Sequence, residues 1–161
     1  MSPAIQLIID DVQGSTEFAR MTLADFTDAE MLTRPSPKSW HVMYQMGHCI
    51  NGEAYLMGKL NLGIATLPAD FSAMFGPDRA TVEDPAKFPS KAKLLEMLDW
   101  QRTQTLAGLA KLTDADLTKP SPLPDWAPTM GRLLLLIADH MTMHLGQVQV
   151  ARRLLGKPVL F

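Results

Sequence analysis

The chain of 161 residues predicts an all-α fold: a single domain over residues 1–161, built as a four-helix bundle. Three observations carry this. The twelve prolines stand at 3, 35, 37, 68, 77, 85, 89, 120, 122, 124, 128 and 158, leaving proline-free stretches 4–34, 38–67, 90–119 and 129–157 of nearly equal length. Proline lacks a backbone donor and clashes with the preceding turn, so it collects between helices. β-branched runs and strict alternation are scarce, which argues against sheet. Apolar residues recur at helical spacing in each stretch.

In the first stretch Ile5, Ile8, Val12, Ser15, Ala19 and Phe26 share a face. In the second Val42, Met46, Ile50, Met57 and Leu60 do so, and in the third Ala92, Leu95, Leu98, Leu106, Leu109 and Ala110. The fourth carries Leu133, Leu136, Ile137, Ala151, Leu154 and Leu155. It also has a second strip, Leu134, Ala138, Met141, Leu145 and Val148, which points to deep burial or to a homodimer surface. Ser90 is placed to cap the third helix, and Gly156 ahead of Lys157-Pro158 to stop the fourth. Arg152 and Arg153 are expected at the last helix's C-terminal end, where cations suit the dipole.

An internal repeat relates the halves. Thr27-Asp-Ala-Glu-Met-Leu-Thr-Arg-Pro-Ser-Pro37 resembles Thr113-Asp-Ala-Asp-Leu-Thr-Lys-Pro-Ser-Pro122, and a tryptophan follows each, Trp40 and Trp126. The bundle is therefore expected as two helix pairs related by pseudo-two-fold symmetry. Thr27 and Thr113 are candidate caps of short helices. The crossover between the second and third helices, residues 61–89, is long for a bundle. With Phe71, Phe75 and Phe88 in it, two readings stand, a lid or a packed connection.

Composition excludes several classes. The chain is 47% hydrophobic and 20% charged, which suits a folded domain rather than a disordered one. A net charge of −2 gives no support to nucleic-acid binding. One cysteine, Cys49, excludes an intramolecular disulfide. The N-terminal residues have no basic segment ahead of their short apolar run, so no signal peptide is expected. The longest apolar run, Leu133–Ala138, is far below a membrane span. A cytoplasmic location is the expectation.

Four histidines carry the chemistry: His41, His48, His140 and His144. His140 and His144 stand one turn apart, so both imidazoles reach one side of a helix. They fall inside the apolar stripe of the fourth helix, with Gln147 beside them. Buried polar groups need partners, and two readings satisfy them: a shared metal ion, or hydrogen bonds to carbonyls or water. His48 is the natural third ligand. Aligning the halves matches His48 with His140 and Gly52 with His144, leaving room at Gly52 for an open coordination position. His48 shares its helix face with His41, Tyr44, Asn51, Tyr55 and Lys59, a face that suits a polar cleft. His41 lies two turns away and is read as a cleft-mouth or surface residue. Cys49 points away from this face and is not a candidate nucleophile.

Arg102, near Asp99, and Glu53 are polar residues within apolar stripes. A buried ion pair accounts for them. The alternatives make Arg102 an anion anchor for substrate, or Glu53 a residue that orients a ligand histidine.

One histidine on the second helix followed by HxxxH on the last resembles the DinB-like superfamily. The resemblance includes Trp40 ahead of Met46-Gly-His48, Arg102 followed by Thr105-Leu-Ala-Gly-Leu109, and the ending His140-Met-Thr-Met-His144-Leu-Gly-Gln-Val-Gln-Val-Ala-Arg-Arg-Leu-Leu-Gly-Lys-Pro158. It implies a divalent metal, zinc or nickel foremost, held by His48, His140 and His144 with water in the open position. It also implies a homodimer. Some members transfer low-molecular-weight thiols such as bacillithiol or mycothiol, or isomerise maleylpyruvate with a thiol cofactor. The expected function is a metal-dependent enzyme of the thiol S-transferase kind acting on a small molecule, with a metal-dependent hydrolase as the alternative. Tyr44, Asn51, Tyr55 and Gln147 are the expected substrate contacts. A non-catalytic metal- or ligand-binding dimer is the competing class.

Overall fold

A computed structural model describes residues 2–160 of the chain. Among these the fold is all-helical without strands: α1 (Pro3–Leu23), α2 (Val42–Lys59), α3 (Ala69–Ala73), α4 (Lys91–Leu109), α5 (Asp114–Leu117) and α6 (Met130–Leu154). The four long helices form the bundle. Their ends follow the local chemistry. Ser2, Ser90 and Thr129 accept hydrogen bonds from backbone N–H groups of the first turns of α1, α4 and α6. Gly156 takes a positive φ of 68° just beyond α6, as a helix-terminating glycine does. The repeated segments each build a capping box. Thr27 and Glu30 form one at the 3-10 turn Glu30–Leu32, and Thr113 and Asp116 the other at α5.

The helices are arranged around the core as a ring: α1 packs on α4 and α6, and α2 packs on the same two. The two helices of each half are therefore diagonal, and the halves interleave. Side-chain contacts give the directions. His140 lies against Gly52 while His144 reaches Gln45, so α2 and α6 are antiparallel. Glu53 meets Arg102 and Thr105, while Met57 meets Gly108, so α2 and α4 are parallel. A parallel pair forces the crossover to travel back the length of α2, about 27 Å at 1.5 Å per residue. The long connection is thus a geometric requirement.

The crossover is packed. Phe71, Phe75 and Phe88 are buried in the core with residues of α1, α2, α4 and α6. Hydrogen bonds fasten it along α2: Asn51 Nδ2 donates to the Ser72 carbonyl at 2.9 Å, and Tyr44 OH to the Gly76 carbonyl at 3.1 Å. At Gly47 a Cβ would stand 2.1 Å from the Phe75 ring, so only glycine lets this contact form. No described helix is long and apolar enough to cross a membrane.

Several sequence expectations are corrected. The buried face of α4 is Leu94, Met97, Leu98, Gln101, Arg102, Thr105 and Leu109, whereas Ala92 and Ala110 are exposed. Besides Arg102, which the sequence already places within the stripe, Gln101 and Thr105 occupy the core face, and a reading by apolar residues leaves them out. On α6, Leu134, Ala138, Met141, Leu145 and Val148 are all buried within the protomer, which is the deep-burial reading of the two that the sequence allows for this strip. Leu154 is exposed. Arg152 stands in the last turn of α6, as expected, and is in addition buried, paired with Asp25 and donating to the Thr22 carbonyl at 2.8 Å, so it ties α6 to the end of α1. That guanidinium holds the Asp25 carboxyl below its usual range.

Replacing Gly47 with Ala is expected to destabilise the fold by about 1–3 kcal/mol through overpacking against Phe75. In a Phe75→Ala background the same substitution should cost much less. Urea unfolding of the four proteins in this cycle checks it, and equal costs in both backgrounds would place the strain elsewhere.

Candidate metal centre

α2 and α6 cross with their histidine faces toward each other. His48, His140 and His144 each offer a ring nitrogen, and these nitrogens lie within 4.8 Å of one another. Ring centroids are 5.0 Å apart for His48 and His140, 5.3 Å for His48 and His144, and 4.9 Å for His140 and His144. Gly52 makes room for this meeting. A Cβ there would come within 3.1 Å of His140 Cε1, so the glycine seats the imidazole itself.

The rings are electrostatically prepared to be lone-pair donors. Burial, with the neighbouring His48 adding to it, pushes His140 down to about 4. His144 is likewise pushed down to about 4, by burial and then by His140 and His48. Burial also lowers His48. All three are therefore neutral at physiological pH.

His144 has a fixed orientation. Its Nδ1 is 3.3 Å from Gln45 Oε1, and the Gln45 Nε2 donates to the Trp40 carbonyl at 2.7 Å. The donor end of the amide is thereby committed to Trp40, and its oxygen faces the ring. His144 then carries its proton on Nδ1 and keeps the Nε2 lone pair for a ligand. Trp40 also stacks on His144, centroids 6.0 Å apart, and meets His48 edge-on at 5.0 Å. His48 and His140 make no hydrogen bond to a described residue. A divalent ion fits this donor set: three neutral imidazoles converge, and two have no competing partner.

Two clefts meet at the histidines. One, about 790 Å³, is walled by His48, Asn51, Tyr55, Phe75, Trp126 and Leu136 among others. The other, about 540 Å³, lies against Lys38, Ser39, Trp40, Met143, His144 and Gln147. His48 and His140 line both. Tyr55 and Asn51 thus stand at the wall of the first cleft and Gln147 at that of the second.

Tyr44 and His41 do not. Tyr44 is buried, and its hydroxyl holds the crossover at Gly76, with burial raising its pKa. His41 is fully buried as the N-cap of α2, accepting from the Tyr44 N–H at 3.0 Å through Nδ1 and bonding the Val82 carbonyl through Nε2. It is a helix cap and crossover anchor, not a cleft-mouth residue.

Glu53 and Arg102 form a core ion pair between α2 and α4, Nε to Oε2 at 3.3 Å, with side chains 2% and 5% exposed. Thr105 donates to the Glu53 carboxylate. Neither lines either of the two clefts at the histidines, and the buried ion pair read from the sequence accounts for both. Asp99 pairs with Arg20 on the surface instead of Arg102. Burial pushes Glu53 up, opposed by Arg102. Cys49 is buried and its thiol is pushed up by burial, which removes it as a nucleophile. Gln45 was missed from the sequence. Its place three residues before His48, one turn back on the same helix, is the available signal.

Gln45→Leu is expected to weaken metal binding by about 10–100-fold while the helix content is kept. Competition with a chromophoric chelator measures it. The depressed histidine pKa values also set a pH dependence. Below about 6.5 the unfolded chain takes up protons that the folded metal-free protein refuses, so stability falls as pH drops from there toward 4. Thermal unfolding of metal-stripped protein across that window should show the loss, with a shallower slope in His140→Ala.

The family model of the DinB superfamily matches residues 15–148, which include α2, all of α4 and both histidines of α6. No curated protein matches. Among solved structures, a conserved protein from Enterococcus faecalis is similar with a TM-score of 0.74 and 23% identity, covering 98% of this chain and 99% of that one. YfiT from Bacillus subtilis, described as a probable metal-dependent hydrolase with an unusual four-helix bundle topology, gives 0.69 and 20%, covering 98% and 91%. With the helical ring, the three converging histidines and a family match over most of its length, the chain belongs to the DinB superfamily.

Proposed function

We propose that this protein is a divalent-metal-dependent enzyme that activates a small nucleophile at His48, His140 and His144. The observation that carries the reading is the convergence of three ring nitrogens within 4.8 Å at a point open to two clefts. A divalent ion held by neutral imidazoles retains its full charge and lowers the pKa of a water or thiol beside it, supplying a nucleophile near neutral pH. Zinc and nickel both suit imidazole nitrogen.

Thiol S-transfer is the first reading. A transferase needs two sites, and the histidines stand between two clefts of different character. Lys38, Ser39 and Gln147 suit a hydrophilic low-molecular-weight thiol on one side. Tyr55 contacts the second substrate on the other, where Asn51 holds the crossover wall at Ser72. Gln45 and Trp40 hold His144 in one tautomer and orientation while the reacting groups exchange. The histidine cluster includes no carboxylate, so no obvious general base attends a water molecule, whereas a thiol ionises without one.

Hydrolysis is the second reading. It is supported by the description of YfiT, a fold neighbour, as a probable metal-dependent hydrolase.

Elemental analysis of untagged protein beside His48→Ala and His144→Ala tests the proposal. About one divalent ion per chain is expected in the parent and loss in both variants, with helical circular dichroism retained. Thiol-dependent consumption of an electrophile should vanish in the same variants. Absence of stoichiometric metal after incubation with zinc or nickel would overturn the metalloenzyme reading, and turnover of an ester without added thiol would select hydrolysis.

A further inference from the structure

We propose that the larger cleft binds the reacting partner through an uncharged apolar body about 10 Å long, of aromatic size, with its polar reactive group at the histidine end. The identity of the reacting end rests on the catalytic reading of the histidines. The apolar binding itself does not.

The length comes from α2. His48 and Tyr55 both line the cleft and are seven residues apart, which at 1.5 Å per residue sets them about 10 Å apart along the axis. Polarity changes along that distance. His48 and His140 supply polar groups at the histidine end, the Asn51 amide being committed to the Ser72 carbonyl, and Tyr55, Leu56, Trp126 and Leu136 are among the residues that line the rest. No Lys, Arg, Asp or Glu lines the cleft, so a charged body would lose its hydration without compensation. A volume of about 790 Å³ suits a small organic molecule.

The aromatic pair at the far end points the same way. Trp126 is 62% exposed and Tyr55 47% exposed, with ring centroids 6.1 Å apart at 49°. Trp126 is nevertheless held from behind. Its backbone N–H and that of the fully buried Ala127 both donate to the Leu123 carbonyl. Lys59 Nζ lies over the Tyr55 ring, 4.9 Å from its centroid, and the two rings already touch, so the apolar area left uncovered is the exposed indole of Trp126, and a flat apolar ligand laid against it from the cleft covers it. The opposite wall is equally fixed, because Phe75 is seated on Gly47 and the Ser72 and Gly76 carbonyls are bonded to α2. The cleft is formed before any ligand arrives, so little ordering entropy opposes binding.

Calorimetric titration with 2-naphthylacetamide and with acetamide tests this, since the two share a polar head and differ in the apolar body. The naphthyl compound is expected to bind at least about tenfold tighter. Trp126→Ala and Leu136→Trp should each remove that advantage, whereas Met143→Ala, at the polar cleft, should leave it. Should Leu136→Trp fail to fold, Tyr55→Ala at the exposed mouth replaces it. Equal binding of the two compounds, or an advantage insensitive to the cleft variants, overturns the proposal. Running the series on metal-loaded and metal-stripped protein separates the two readings. Naphthyl binding in a protein that takes up no metal supports the cleft assignment while the enzymatic reading fails. Stoichiometric metal without naphthyl selectivity does the reverse.

Discussion

Phe75 rests on the bare backbone of α2 at Gly47, and that contact clamps the crossover over the helix that carries His48. Because α2 and α4 run parallel, the chain must return along the full length of α2 before α4 can begin. The return path passes the histidine face. Ser72, Gly76 and Val82 meet Asn51, Tyr44 and His41 in turn, so the connection advances one step for each step back along α2. What would be a solvent-exposed face in a simple up-down bundle becomes the wall of a cleft.

The same enclosure sets the electrostatics. Packed between α6, Trp40 and the crossover, the three imidazoles are desolvated enough to stay neutral, and neutral nitrogen is what a metal ion requires. Orientation comes from one more layer of contacts. The Trp40 carbonyl fixes the Gln45 amide, and that amide fixes the tautomer of His144. Elsewhere in the core, polarity is used for cohesion instead. Glu53 and Arg102 join α2 to α4, and Arg152 joins α6 to the end of α1.

Much of this was legible in the residues. HxxxH put two imidazoles on one side of a helix, and the repeat proposed His48 as their partner. Proline spacing marked the four long helices, and Thr27 and Thr113 marked two capping boxes that the structure contains. The failures share a cause. A polar residue on a core face misleads a hydrophobicity reading, which is why the stripe read on α4 takes in Ala92 and Ala110 and leaves out Gln101 and Thr105. His41 and Tyr44 were assigned to a cleft because they share the periodicity of His48. They are buried because the crossover covers that end of α2.

The helical class, the positions of the long helices and the pair of histidines on α6 are legible in the residues because each depends on neighbours within a few turns of one another. Tertiary structure alone decided that consecutive helices lie diagonally, that α2 and α4 run parallel, and that the crossover becomes a wall. It alone decided that Gln45 serves His144, whereas the buried ion pair of Glu53 and Arg102 is already the reading of two polar residues on apolar stripes. These outcomes depend on which distant surfaces fill each other's gaps, as Phe75 fills the one left by Gly47 and His140 the one left by Gly52, and local periodicity does not carry that complementarity.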